Sequence, residues 1–304
     1  MERCVTTCSR SRSLWRTARC LLRVRTRIPI SSGPPAVQGP ILVSLRHFDI
    51  VCILSGKYWR VCCSIRVTVR PKLIAFHREF LVGTPDELDT TIGFLNSPDG
   101  APLVAIVAIY AGPPEEGERV LEPLRKFGPP IADLVRPMAY AEAQSMLDNA
   151  VPIGDRYYWK SNFVNELSPD LGHVLKEGAN TMPSPLSMIL MFEIKGEMKR
   201  VPKDAMAFDH RDANFELSII GHWTDPAHDD VNVRWARDVW TAAQPFVSPA
   251  VYSNHMTDDE GEARTVAAYG ASKYAKLARL KATYDPDNFF CLNHNVRPER
   301  PADR

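Results

Sequence analysis

Ala268-Tyr-Gly-Ala-Ser-Lys-Tyr-Ala-Lys-Leu-Ala-Arg-Leu-Lys-Ala-Thr-Tyr-Asp-Pro-Asp-Asn-Phe-Phe-Cys-Leu-Asn-His-Asn-Val-Arg-Pro298 lies near the end of the 304-residue chain. Tyr274, Leu277, Leu280 and the stem of Lys281 recur at helical spacing after Ser272, a capping residue type, so a helix is expected here. Asp285-Pro286 ends it, because the residue before proline avoids the α region. A hook rich in asparagine follows. Asn288, Asn293 and Asn295 offer amide donors and acceptors around the apolar anchor Phe289-Phe290, a combination suited to docking on a polar ligand or another domain. Cys291 reads as a small apolar residue of that hook, since no histidine–carboxylate arrangement can be assigned to it.

Tyr284-Asp-Pro-x-Asn-x-Phe-x-x-Asn-x-Asn-Val-x-Pro298 resembles the closing signature of berberine-bridge-enzyme-like FAD-linked oxidases, within the PCMH-type flavoproteins. Tyr157-Tyr-Trp-Lys-Ser-Asn-Phe163, Trp223-Thr-Asp-Pro226, Val251-Tyr-Ser-Asn254 and Ala268-Tyr-Gly270 resemble further landmarks of that family, in its order, so the resemblance covers about 225 residues from Phe80 onward. It implies an α+β substrate domain, an antiparallel sheet covered by helices on one face, and a tail that returns to the flavin. By this resemblance Asn293, Asn295 and Tyr284 are the expected FAD contacts. The family binds FAD mainly through an N-terminal domain with a glycine-rich pyrophosphate loop and a covalently linked histidine. Residues 1–72 do not resemble that domain, so cofactor binding is delegated to a part outside this stretch.

Charge divides the chain. Residues 1–72 carry twelve Arg and two Lys against Glu2 and Asp49, a balance of +12, while the remainder is −11, giving the net +1 of the whole. Six of the seven cysteines lie in the same segment, at Cys4, Cys8, Cys20, Cys52, Cys62 and Cys63. The organisation read from this is a basic Cys/Arg-rich segment over 1–72 that need not fold, a substrate-binding domain over 73–267, and a helix-and-hook tail over 268–304. Alternative readings of the first segment are a mitochondrial-type presequence, which would replace a cytoplasmic location, and a nucleic-acid arm. The arm lacks the interleaved aromatics such binders use, so no nucleic-acid partner is expected. The apolar run Phe48–Leu54 is far short of the roughly 20 residues a membrane span needs, so no membrane partner is expected either. No set of four cysteine and histidine ligands has zinc-site spacing, and no metal is expected.

Along the rest of the chain, Leu73–Val82 alternates as a strand and Thr84-Pro85-Asp86-Glu87 reads as a helix start with Leu88, Ile92 and Leu95 as its buried stripe. Pro102–Tyr110 is an apolar strand. Glu115–Phe127, Tyr140–Asn149 and Ser168–Thr181 read as helices, and Arg156–Val164, Leu186–Ile194 and Asn214–Trp223 as strands. Asp225–Ala243 is a helix with Val233, Ala236, Trp240 and Ala243 on one face. This pattern supports a layered sheet-and-helix domain without fixing strand order.

Dinucleotide and nucleophile motifs of the Gly-x-Gly-x-x-Gly, P-loop and Gly-x-Ser-x-Gly kinds are absent from the sequence. The candidates lie elsewhere. On a strand, Tyr252 and Asn254 would share a face, where a phenol and an amide converge on a substrate. The resembled family sometimes uses tyrosines of this region as a base, which makes Tyr252 a catalytic candidate and Asn254 a substrate contact. Alternation puts Tyr158 and Lys160 on one face and Tyr157 and Trp159 on the other, so one pair packs on helices while the other faces the flavin and substrate. With Tyr158 as a substrate contact, Lys160 would supply a positive charge. The expected function is an FAD-dependent oxidoreductase part that oxidises an alcohol or amine carbon by hydride transfer to flavin. Its partners would be a small-molecule substrate and a separate flavin domain. The competing reading is a non-catalytic remnant or partner-binding module.

Overall fold

The computed structural model describes residues 60–67, 72–97, 100–127, 135–145, 148–292 and 294–299. Seven strands form one sheet: β1 (Arg60–Val67), β2 (Leu88–Asn96), β3 (Pro102–Tyr110), β4 (Arg136–Ala139), β5 (Arg156–Val164), β6 (Met188–Glu193) and β7 (Phe215–Trp223). Their order is β4-β1-β3-β2-β6-β7-β5, and every neighbouring pair is antiparallel. The antiparallel α+β architecture expected from the tail is therefore present.

Four helices cover one face: α1 (Lys72–Phe80), α2 (Pro114–Lys126), α4 (Pro169–Asn180) and α6 (Asp229–Ala243). Their Leu73, Leu121, Leu124, Leu171, Leu175 and Val239 pack with Leu88, Ile92, Ile106, Ile189, Leu217 and Ile219 of the sheet. Each such side chain contributes about 1.5–3 kcal/mol on burial. The short α3 (Tyr140–Ser145) meets Ile109 through Ala143 at the β4 end. Helix signals match the ends: Ser168 Oγ accepts from Leu171 N at the start of α4, and α2 opens with Pro114, Glu115 and Glu116 and ends with Arg125 and Lys126, as the helix dipole favours. The single turn α5 (Glu197–Arg200) precedes β7, and α7 (Glu262–Tyr269) and α8 (Ala271–Tyr284) follow it.

Several expectations are corrected. Within the expected strand 73–82, residues 73–80 are helical and 81–82 a turn, because buried Leu73 and His77 with partly buried Ile74 and Phe80 follow a helical period. Residues 88–96 are a strand, not a helix. Leu88, Thr90, Ile92 and Phe94 are buried in alternation, and the β-branched Thr90-Thr91-Ile92 run with Gly93 disfavours a helix. The boundary at residue 72 also moves, because β1 falls inside the basic segment and pairs with both β3 and β4. Without it, β3 would present a bare edge. The remaining readings of the basic segment, Cys4, Cys8, Cys20 and Cys52 included, lie outside the described residues. On α6 the buried set is Asn232, Trp235, Ala236, Val239 and Ala243, so the face is rotated from the expected one. On α8 Leu280 is exposed and Lys281 is buried, and the helix starts from Gly270 at φ 74° without a side-chain cap. Lys281 is held by Asp285 and by the Phe290 carbonyl.

His77 of α1 is buried, with Nε2 3.0 Å from Thr90 Oγ1, whose hydroxyl donates to Glu193. Burial, then the Lys195 charge, lowers its pKa from 6.5 to about 4. The native imidazole stays neutral where the unfolded one takes a proton. Its contribution is therefore complete above about pH 6.5 and disappears as pH falls towards 4. Asp89, whose carboxyl burial raises to about 6, titrates in the same interval with the opposite sign, so the contribution of His77 is read as a difference. In urea titrations the stability of the wild type relative to His77→Gln should fall by about 2–3 kcal/mol across that interval, and a difference that stays constant would exclude His77 as its source.

Candidate active site on the open face of the sheet

Strand alternation decides which side chains reach the face opposite the four helices. Trp159 lies beside Ile220, Ser161 beside Ser218, and Phe163 beside Glu216, with Phe192 of β6 on the other side of Glu216. All of β7 is buried, so Glu216 and Ser218, at 5% and 0% exposure, need partners inside the protein. They find each other and His255. Ser218 Oγ lies 3.0 and 3.1 Å from the two Glu216 oxygens, and His255 Nδ1 lies 3.0 Å from Glu216 Oε1 and 3.1 Å from Ser218 Oγ.

With Glu216 ionised, the network assigns the proton to Nδ1, which donates to the carboxylate and leaves Nε2 as an acceptor. Nε2 has no hydrogen-bond partner among the described residues. Aromatic rings surround the imidazole: Trp159 at 5.0 Å, Tyr252 at 5.2 Å and Phe192 at 6.3 Å between centroids. A Ser–His–Glu hydrolase relay does not fit, because a relay uses both ring nitrogens, one for the serine and one for the acid. Here Nδ1 alone faces both. The cluster is suited instead to accepting a proton at Nε2, with the carboxylate stabilising the resulting imidazolium.

Tyr252 belongs to this cluster. Its phenol oxygen accepts from Asn254 Nδ2 at 2.9 Å, but Tyr252 precedes and Asn254 sits within a turn of 3₁₀ helix over Ser253–His255, not the expected strand, and Asn254 is exposed. The turn swings His255 onto the sheet. The tail holds it there: Val296 is buried with Val251, Met256, Tyr269 and Leu277, and His294 Nε2 meets the Met256 carbonyl at 3.2 Å.

Tyr158 and Lys160 are on the other side. This pair, expected to face flavin and substrate, points by its alternation at α6. Lys160 Nζ lies 3.0 Å from Glu260 and 3.4 Å from Asp259, while the Tyr158 hydroxyl donates to Asp259 and accepts from Arg237 of α6. Burial works to lower the Lys160 pKa, but Glu260 and Tyr158 raise it overall. Burial alone would raise the Asp259 carboxyl, yet hydrogen bonds from Thr257, Tyr158 and Arg237, with the Lys160 charge, hold it well below the usual carboxylate range. These groups are committed to tying residues 257–264 to the sheet edge.

In the tail, Asp285 accepts from the backbone of Phe289 and Phe290, shaping the hook with Asn288 in the left-handed region at φ 52°. Phe289 and Leu292 are 79% and 82% exposed, and Tyr284, Phe290 and Cys291 are also exposed, so Cys291 is not packed as expected. Asn295 is half-buried, and Asn293 lies outside the described residues. Reading the sequence missed Glu216, Ser218 and His255 as a site. The signal was present in Phe215–Trp223, where polar Glu216, Ser218 and His222 take three of the four even-numbered positions, Ile220 the fourth, of an otherwise apolar strand. Among the described residues no three His, Cys, Asp or Glu side chains group as metal ligands, and no helix is long and apolar enough to cross a membrane.

Comparison with known proteins places this geometry. Residues 251–297 match the family model described as berberine and berberine like. An FAD-linked oxidoreductase of Dictyostelium discoideum is 29% identical over 217 residues, 70% of this chain and 46% of that protein. Tetrahydroberberine oxidase of Berberis wilsoniae is 26% identical over 181 residues, 52% of this chain and 33% of that protein. The chain thus spans half or less of the length of these curated relatives. The fold matches BBE-like #28 from Arabidopsis thaliana with a TM-score of 0.69 at 17% identity, covering 83% of this chain and 60% of that one.

Lys160→Met should cost about 1–3 kcal/mol in urea unfolding, less than stranding a lone buried charge, because Arg264 still pairs Glu260 and Arg237 still pairs Asp259. The loss should be less than additive with Glu260→Gln. Full additivity would mean that the two do not interact.

Proposed function

We propose, from the membership of residues 251–297 in the berberine and berberine-like family, that this sheet is the substrate-facing part of an FAD-dependent oxidoreductase. The reaction is oxidation of an alcohol or amine carbon. The observation that carries the reading is buried Glu216 paired with partly exposed His255, set among aromatic rings on the face that the four helices leave free. The fit to FAD divides in two. Half-buried Trp159, Phe192 and Tyr252 frame a mouth suited to a flat ring. A pyrophosphate cradle of the Gly-x-Gly-x-x-Gly kind is absent from the sequence, so the phosphates are held by a second domain.

When bound, FAD supplies the acceptor for a hydride from the substrate carbon. The chain's own residues handle the proton. A substrate O–H or N–H placed at His255 Nε2 gives up its proton there, and ionised Glu216 stabilises the imidazolium through Nδ1–H. Ser218 holds the carboxylate in place. The phenol of Tyr252, with Asn254 as its donor, positions the substrate's polar edge, and Trp159 stacks on a hydrophobic or sugar-like ring. Asn295 and Tyr284 of the tail lie towards the cofactor in this reading, and Asn293 is proposed as a cofactor contact on the tail motif alone. The exposed apolar hook of Phe289, Phe290 and Leu292 supports docking on that second domain, since such side chains mark interaction sites.

The visible spectrum of the full chain after incubation with FAD and gel filtration tests the two-part reading. The chain should elute colourless and gain flavin bands only when supplied with the flavin domain of a relative. A chain that stays yellow by itself would overturn the delegation of the cofactor.

A further inference from the structure

The helix-covered side of the sheet, opposite Glu216, holds a cavity. It lies between α1 and α4 over the ends of β2 and β3, with a volume of about 270 Å³. Ile74, Phe94 and Val104 line it with apolar surface, and Arg78, His173 and Lys176 stand at its exposed margin. Gly172 brings the two helices together at one wall, where a Cβ would come within 2.9 Å of Ile74 Cδ1.

The chemistry of the lining is asymmetric. Among the described residues Arg78 and His173 have no carboxylate partner, and Lys176 has only Glu177 at 3.9 Å. Packing alone does not call for this arrangement: an unfilled apolar space forfeits dispersion contacts, and clustered cations repel. A molecule with an apolar body and an anionic head relieves both.

We propose that this cavity binds an amphipathic carboxylate, with its alkyl chain between α1 and α4 and its head against Arg78 and Lys176. A guanidinium takes a carboxylate in bidentate fashion, and the lysine adds a point charge. The site faces away from the open face, so its ligand is distinct from the molecule oxidised there and does not depend on the oxidoreductase reading.

Isothermal titration of the full chain with decanoate tests this. Saturable one-to-one binding is expected, weakened about tenfold or more in Arg78→Gln/Lys176→Gln and by replacement of decanoate with decanol. Val104→Phe, which narrows the apolar space and leaves the cations in place, should weaken decanoate as well. Circular dichroism confirms that each variant is folded. Absence of saturable binding to the wild type, equal binding of decanol, or undiminished binding to the charge-neutralised variant would each overturn the proposal.

Discussion

Burial of β7 on both faces is the constraint from which the rest follows. A strand in that position cannot leave a polar side chain to water, so each one must be matched from elsewhere in the chain. Glu216 and Ser218 draw His255 down from the segment after α6, and His222 Nε2 lies 2.7 Å from Asp155 at the other end of the strand. Satisfying the strand therefore fixes a loop over the open face. That loop brings an imidazole, a carboxylate and a phenol within a few ångströms of one another, so the demand of folding and the placement of reactive groups are met by the same hydrogen bonds.

The sheet separates two kinds of polar network. On the helix side, Lys160, Arg237 and Arg264 meet Asp259 and Glu260, closing charges against charges at the β5 edge. Paired in this way, those groups have little to offer a substrate, and their work is to hold residues 257–264. On the open side, the pair is a carboxylate with an imidazole whose second nitrogen is uncommitted. The difference in partners, more than the difference in residue type, separates the two networks.

Much of the fold was legible because its signals are local. The boundaries of β5 and α4 follow from aromatic alternation and from Ser168-Pro169, and the tail motif carried the antiparallel class. Residues 73–96 were misread because short apolar segments satisfy both periods, and only the pairing of β2 with β3 along its whole length, together with the packing of Leu73 and His77, decides between them. Of the proposed site, the motif around Tyr252 was legible, but the direction in which Lys160 turns was not, because alternation gives two faces without saying which one the helices take. Glu216 and His255 are 39 residues apart, and their meeting depends on a 3₁₀ turn and on Val296, contacts that no local pattern contains.

Rapid-mixing measurement of flavin bleaching tests most directly whether the open face is where the chemistry occurs. The chain would be assembled with a flavin domain and given a panel of aromatic amines, benzylic alcohols and sugars. Glu216→Gln should slow bleaching by about 10²–10⁴-fold, because His255 loses the carboxylate that stabilises its imidazolium, while Lys160→Met stays near the wild-type rate. Wild-type bleaching in Glu216→Gln, with loss of bleaching in Lys160→Met, would contradict the account and move the reaction to the helix side.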